Sequence, residues 1–123
     1  MMSDAELIEV SDPPVVGDLT DFYDLWIGRK NKERGQEHSE WANPFSVRDF
    51  GLEMSIQHYE EYLRNRPDLL AKIPTLRGLT LACTCRSSEH QSPLCHGDVI
   101  RDLYLEWARA RVEEQPDYFK RKA

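Results

Sequence analysis

All three cysteines and two of the four histidines fall in one window, LTLACTCRSSEHQSPLCHGDVI, residues 79 to 100. Cysteine and histidine are the soft ligands and nucleophiles of protein chemistry, so a metal or a reactive thiol is expected here. Cys83 and Cys85 are two apart, which on a regular strand puts them on one side with α-carbons about 6.6 Å apart. That is wide for a disulfide or for two sulfurs on one zinc unless the chain bends. Arg86-Ser87-Ser88 reads as the strand end, so a bend at Cys85 would let Cys83, Cys85, Cys95 and His96 form a Zn2+ site, with His90 as a spare ligand. Against this, adjacent ligands such as Cys95 and His96 diverge, and the two-residue gap of common zinc knuckles is missing.

A second chemistry fits the same residues. Cys95 and His96 precede Gly97-Asp98-Val99-Ile100, where the start of a helix leaves N–H groups open and favours negative charge. Cys95 there would be a thiolate nucleophile with His96 as base or proton carrier. Asp98 would cap the helix or orient His96. Gly97 would let the backbone close on a bound phosphate. The third reading is structural: cysteine is a common core residue, and these positions then serve packing and a helix cap.

A second polar cluster, IGRKNKERGQEHSEWANPF over 27 to 45, carries Arg29, Lys30, Lys32 and Arg34 before Glu37 and Glu40 reverse the sign. Arg29 is the candidate for bidentate pairing with an anionic group, and Asn43 for a directional hydrogen bond to the same ligand. Trp26 and Trp107 read as core, Trp41 as a loop anchor or a base-stacking platform, and His58 and His38 as surface residues.

The elements that must position these groups follow from local patterns. Residues 1 to 14 are acidic, end in Pro13-Pro14 and read as a flexible lead-in. Val15-Val16 and Phe22 to Ile27 are strand-like runs, the second stopped by Gly28. Residues 29 to 42 show no period and form a long loop of the kind that often carries function, closed by Asn43-Pro44-Phe45. Ser55 is placed to cap a helix bearing Ile56, Tyr59, Tyr62 and Leu63, and Asp68 a shorter one with Leu69, Leu70 and Ile73. Leu79 to Cys83 is the next strand, and a last helix runs from about Gly97 to Glu113. That order predicts an α/β layered fold with a short, mostly parallel, Rossmann-like sheet flanked by helices, in one domain over 15–115 with a tail over 116–123. Ligands gather at the strand ends of such folds.

Composition sets the outer limits. The chain has 123 residues, 40% of them hydrophobic, with three tryptophans, enough for one domain with a real core. Its formal charge of −6 opposes sequence-blind coating of duplex DNA but not one phosphate in a locally basic pocket. No apolar run approaches the roughly 20 residues of a membrane span, and the first residues lack a signal pattern, so the cytoplasm is expected. An odd number of cysteines also argues against a secreted disulfide scaffold.

Five stretches taken in order resemble a known family. They are Tyr23 to Arg29, Trp41-Ala42-Asn43-Pro44-Phe45, Tyr59-x-x-Tyr62-Leu63, Leu76 to Cys85 and Cys95-His96-Gly97-Asp98-Val99-Ile100. Together, over about residues 15 to 108, they resemble the family called domain of unknown function 4326, which occurs in bacteria and phages. The resemblance implies that Ile27-Gly28-Arg29, Asn43-Pro44-Phe45, Cys83, Cys85 and Cys95-His96-Gly97-Asp98 belong to one site. The link Arg86 to Leu94 and the loop Lys30 to Glu40 are longer here than the family pattern.

Three functions follow as expectations. The leading one is a small α/β protein whose Cys/His site binds or processes a nucleotide or other phosphorylated ligand. In that reading Cys95, His96 and Asp98 are catalytic and Arg29, Asn43 and Gly97 hold the ligand. No Walker motif or dinucleotide glycine loop is present, which disfavours ATP hydrolysis and hydride transfer. The second is a non-catalytic zinc-binding module for protein or nucleic-acid interaction. The third is a phage or viral accessory protein acting on a host protein, where acidity suits a basic partner surface.

Overall fold

Thr80–Ala82 (β3) is the centre of a three-stranded parallel sheet. Val15–Gly17 (β1) pairs on one side, Val15 opposite Thr80 and Gly17 opposite Ala82. Leu25–Trp26 (β2) pairs on the other, Leu25 opposite Leu81 and Trp26 opposite Ala82. The computed structural model describes residues 3–17, 23–30, 32, 35–82, 86–87, 90–91 and 95–119. Cys83, Cys85 and Arg34 lie outside them.

Parallel neighbours need a crossover. The one from β2 to β3 carries Val47–Phe50 (α2), Leu52–Arg64 (α3), Pro67–Leu70 (α4) and a 3-10 turn, Ile73–Leu76. After β3, Arg86–Ser87 (β4) and His90–Gln91 (β5) form a separate antiparallel pair, and His96–Glu114 (α5) follows. This is the α/β layered, mostly parallel architecture that the element order predicts.

Alternation along the strands divides the core. Leu81 and Ile27 enter the main core with Tyr59, Leu63, Ile100 and Tyr104, while Ala82 and Trp26 face the other way and meet Tyr23. α3 contributes Ser55, Tyr59 and Leu63 at spacings of four, and α5 contributes Val99, Ile100, Leu103, Tyr104, Ala108 and Val112. Each large apolar side chain removed from water this way contributes about 1.5–3 kcal/mol.

Three local expectations are corrected. The acidic lead-in is a helix over Asp4–Ser11 (α1), because Ser3 Oγ accepts from Glu6 N–H at 3.2 Å and Leu7 is buried against the core. α3 begins at Leu52, not at Ser55; Ser55 is wholly buried and donates its hydroxyl to Phe45 O at 2.6 Å. The tail packs back as far as Phe119, whose ring lies 5.8 Å from that of Trp107 and edge-on to it.

α1 is fastened by Tyr104, whose buried hydroxyl donates to Ser11 O at 2.7 Å. Burial pushes the Tyr104 phenol up to about 12, with Asp12 and Tyr118 adding to the shift and Arg77 opposing it. A raised folded-state value means that the contribution is complete below the ordinary phenol range near pH 10 and is lost as pH rises toward about 12. Tyr104→Phe should therefore unfold more easily at neutral pH while losing less further stability between pH 10 and 12 than the parent. Urea midpoints across that range would check it, and parallel losses in both proteins would refute the assignment.

Candidate functional site

Of the residues singled out by their chemistry, Arg29, Asn43 and Cys95 to Asp98 meet where β2 ends. Three successive carbonyls there are each engaged by a donor. Ile27 O accepts from His96 Nε2 at 2.7 Å, Gly28 O from Ser39 N–H at 3.0 Å, and Arg29 O from the Trp26 indole N–H at 3.1 Å. The indole reaches Arg29 by folding back over Gly28, where a Cβ would stand 2.6 Å from the ring. Glycine is required at 28 for that close approach.

The loop beyond is pinned from below. Arg29 donates through Nε and Nη2 to Asn43 O, at 3.1 and 3.0 Å. Asn43 uses its own amide to shape the following turn: Oδ1 accepts from Phe45 N–H at 2.9 Å, and Nδ2 donates to Ser55 Oγ at 2.9 Å. Tyr59 donates its hydroxyl to Trp41 O at 2.5 Å and sets its ring edge-on to His96 at 5.1 Å. Trp41 is buried, so it anchors the loop and offers no stacking platform. His58 is half-buried between Phe45 and Phe50, whereas His38 is exposed.

The start of α5 completes this corner. Cys95 is the N-cap: its Sγ accepts from Gly97 N–H at 3.4 Å and also from the amide of Asp98, while Asp98 Oδ2 accepts from Cys95 N–H at 3.1 Å. This reciprocal capping box engages donors that an anion would otherwise use. Partial desolvation, then the charges of Asp98 and Glu60, push the Asp102 carboxyl above its ordinary range, with Arg101 opposing. A phosphate placed here would meet that negative charge. Gly97 is buried, and a Cβ on it would stand 3.0 Å from Ile27 Cδ1 and from both Val16 methyls. Its lack of a side chain lets α5 lie on the sheet.

The arrangement restricts the chemistry. Cys95 is fully buried and His96 nearly so. A carbonyl oxygen only accepts, so His96 Nε2 carries the proton, and any base or ligand role would fall to Nδ1. Among the described residues no group of three or more His, Cys, Asp or Glu is placed to hold a metal. The zinc expectation rests on Cys83 and Cys85, which lie outside those residues, and the described residues do not form a zinc site by themselves.

Ile27, Arg29, Asn43 and Cys95 to Asp98 are thus joined in one corner. Arg29 is the exposed cation of the set, and among the described residues its Nη1 has no protein partner. Sequence reasoning overlooked Tyr59, Ser55 and Ser39 as parts of this corner. The resemblance contained Tyr59 in its motif, but its helical spacing reads equally well as core.

The family model described as Domain of unknown function (DUF4326) matches residues 18–106. The chain belongs to that family. It is also 31% identical over 93 residues to "Uncharacterized protein R718" of Acanthamoeba polyphaga mimivirus, covering 71% of each chain. No solved structure matches. No helix among the described residues of this DUF4326 domain is long and apolar enough to cross a membrane.

Serine is a good helix cap but a poor zinc ligand, so it separates the roles of Cys95. Cys95→Ser should keep most of the stability, losing about 1 kcal/mol or less, whereas Cys95→Ala should lose about 1–2 kcal/mol with the cap and more with the cavity. Chemical denaturation gives both values. Equal, chelator-sensitive losses in the two variants would instead identify a metal ligand.

Proposed function

We propose that this DUF4326 protein is a non-catalytic binding module that acts on another protein. The observation that carries this reading is the fully buried Cys95 sulfur, held as the cap acceptor of α5. A nucleophile has to reach its substrate, and here the Cys95 and Asp98 side chains cap α5 while His96 joins it to the end of β2. The similarity to a mimivirus protein is in keeping with an accessory role, and the −6 charge favours a basic protein surface over nucleic acid. We place the protein in the cytoplasm of the cell that makes it.

Alkylation of the native chain, read by peptide mapping so that Cys95 is followed apart from Cys83 and Cys85, tests this reading. Cys95 should stay unmodified until denaturant unfolds the protein. Rapid modification in the folded state would restore a reactive thiol and overturn the non-catalytic reading.

Arg29 supports a second reading, in which the corner holds an anionic group such as a nucleotide phosphate. Two of its donors are fixed on Asn43 O, which aims the guanidinium, and its exposed Nη1 would meet the anion. Lys30 and Lys32, both exposed, would add to the local positive charge. Gly97 and Asn43 would then support the pocket through the backbone and not contact the ligand with side chains. Arg29→Gln should abolish ATP-induced NMR shifts at 27–30 with the fold retained; ATP shifts that are absent in the parent, or unchanged in the variant, would discard this second reading.

A further inference from the structure

The outer face of α2 and α3 carries apolar residues that the core does not use. Val47, Phe50 and Met54 are 51%, 44% and 45% exposed. Val47 and Phe50 lie on α2 and Met54 and His58, four apart, on α3, with the break at Gly51 between the two helices, while Ser55, Tyr59 and Leu63 supply the buried side of α3. Water-facing apolar residues are an interaction signature when they are contiguous. Here the rings touch: Phe50 lies 5.8 Å from Phe45 and 5.1 Å from His58, and Phe45 lies 5.2 Å from His58. Met54 adds a deformable surface suited to varied apolar partners.

The border of this face is mainly acidic. Residues 47 to 61 hold Asp49, Glu53, Glu60 and Glu61 against the single cation Arg48. Glu60 pairs with Arg64. Among the described residues Asp49, Glu53 and Glu61 form no ion pair, and Glu61 falls on the same helical face as Met54 and His58, seven and three residues on. Apolar contact at the centre with unpaired carboxylates at the rim complements a segment that is apolar on one side and basic at its edges.

We propose that the α2–α3 face, centred on Phe50 and Met54, docks a basic amphipathic segment of a partner protein. The proposal rests on the reading of the chain as a protein-binding module and supplies its surface. The acidic border excludes nucleic acid as the occupant. It also disfavours a second copy of the same chain, which would bring an equally acidic rim into contact.

The full-length chain, isotopically labelled, can be titrated with a designed Leu/Lys amphipathic peptide and with its Leu/Glu counterpart. The Leu/Lys peptide should shift amides over 45–61 and weaken with added salt, and the Leu/Glu peptide should not bind there. Phe50→Ser with Met54→Ser should weaken binding by about tenfold or more. Melting temperature should change little, because both side chains are exposed. Glu53→Lys with Glu61→Lys should weaken it severalfold and remove its salt dependence. Binding that maps elsewhere, ignores these variants, or accepts the Leu/Glu peptide equally would overturn the proposal. So would sedimentation showing that Phe50 and Met54 mediate self-association. If Cys95 is reactive in the native state but the face binds as described, the non-catalytic reading alone falls. If Cys95 is inert and the peptide does not bind, the docking face alone falls.

Discussion

The hydrogen bond from His96 Nε2 to Ile27 O organises this fold. It joins the first residue of α5 to the residue that follows β2, across a separation of 69 positions. Helix and strand can approach that closely because Gly97 has no side chain to strike Ile27 and Val16. Once the approach is fixed, the next two carbonyls are placed to meet Ser39 and the Trp26 indole, and Arg29 is directed to Asn43. A histidine that holds a strand end also has one nitrogen committed, which narrows what the same ring can do chemically.

The same corner explains why a cysteine can serve as a helix cap. Ser, Thr, Asp and Asn are the usual choices, each with a strong acceptor oxygen. At position 95 the side chain is fully enclosed by the core that surrounds Tyr59 and Ile100. A hydroxyl would cap as well but bring a donor that needs a partner in that setting, a cost of about 1 kcal/mol, whereas a thiol is a weak donor and packs as a small apolar group. Sulfur accepts the two helix amides with a lower desolvation cost. The residue type that looks reactive in the sequence is thus accounted for by capping and packing together.

Much of this was legible in the sequence, and the omissions have physical causes. Strand β3, the glycine stop at 28, the turn at Asn43-Pro44-Phe45 and helix α5 all carry strong local signals, and all occur close to where those signals put them. α1 was concealed by its acidity, although Ser3 and Glu6 stand three apart as in a capping box. Ser55 resembled a cap because serine prefers that role, but the loop at Phe45 supplies an acceptor that draws it into the core. For the site, the residue types drew attention to Arg29, Asn43 and Cys95 to Asp98, which the fold joins in one corner. They could not indicate that Cys95, Asp98 and Asn43 turn their polar atoms inward, because that depends on contacts between distant segments.

Two parts of the molecule therefore have different relations to solvent. The strand-end corner directs most of its polar groups to its own backbone, leaving Arg29 as its outward cation. The α2–α3 face does the reverse, leaving rings and carboxylates in water without needing them for the core. These regions are connected, because the turn shaped by Asn43 positions Phe45, and Phe45 packs against Phe50 and His58. The bond between Asn43 and Ser55 fixes that turn to α3. Internal hydrogen bonds at the corner thereby set the shape of the exposed aromatic surface, although the side chains that make them, those of Arg29, Asn43 and Ser55, do not lie on it.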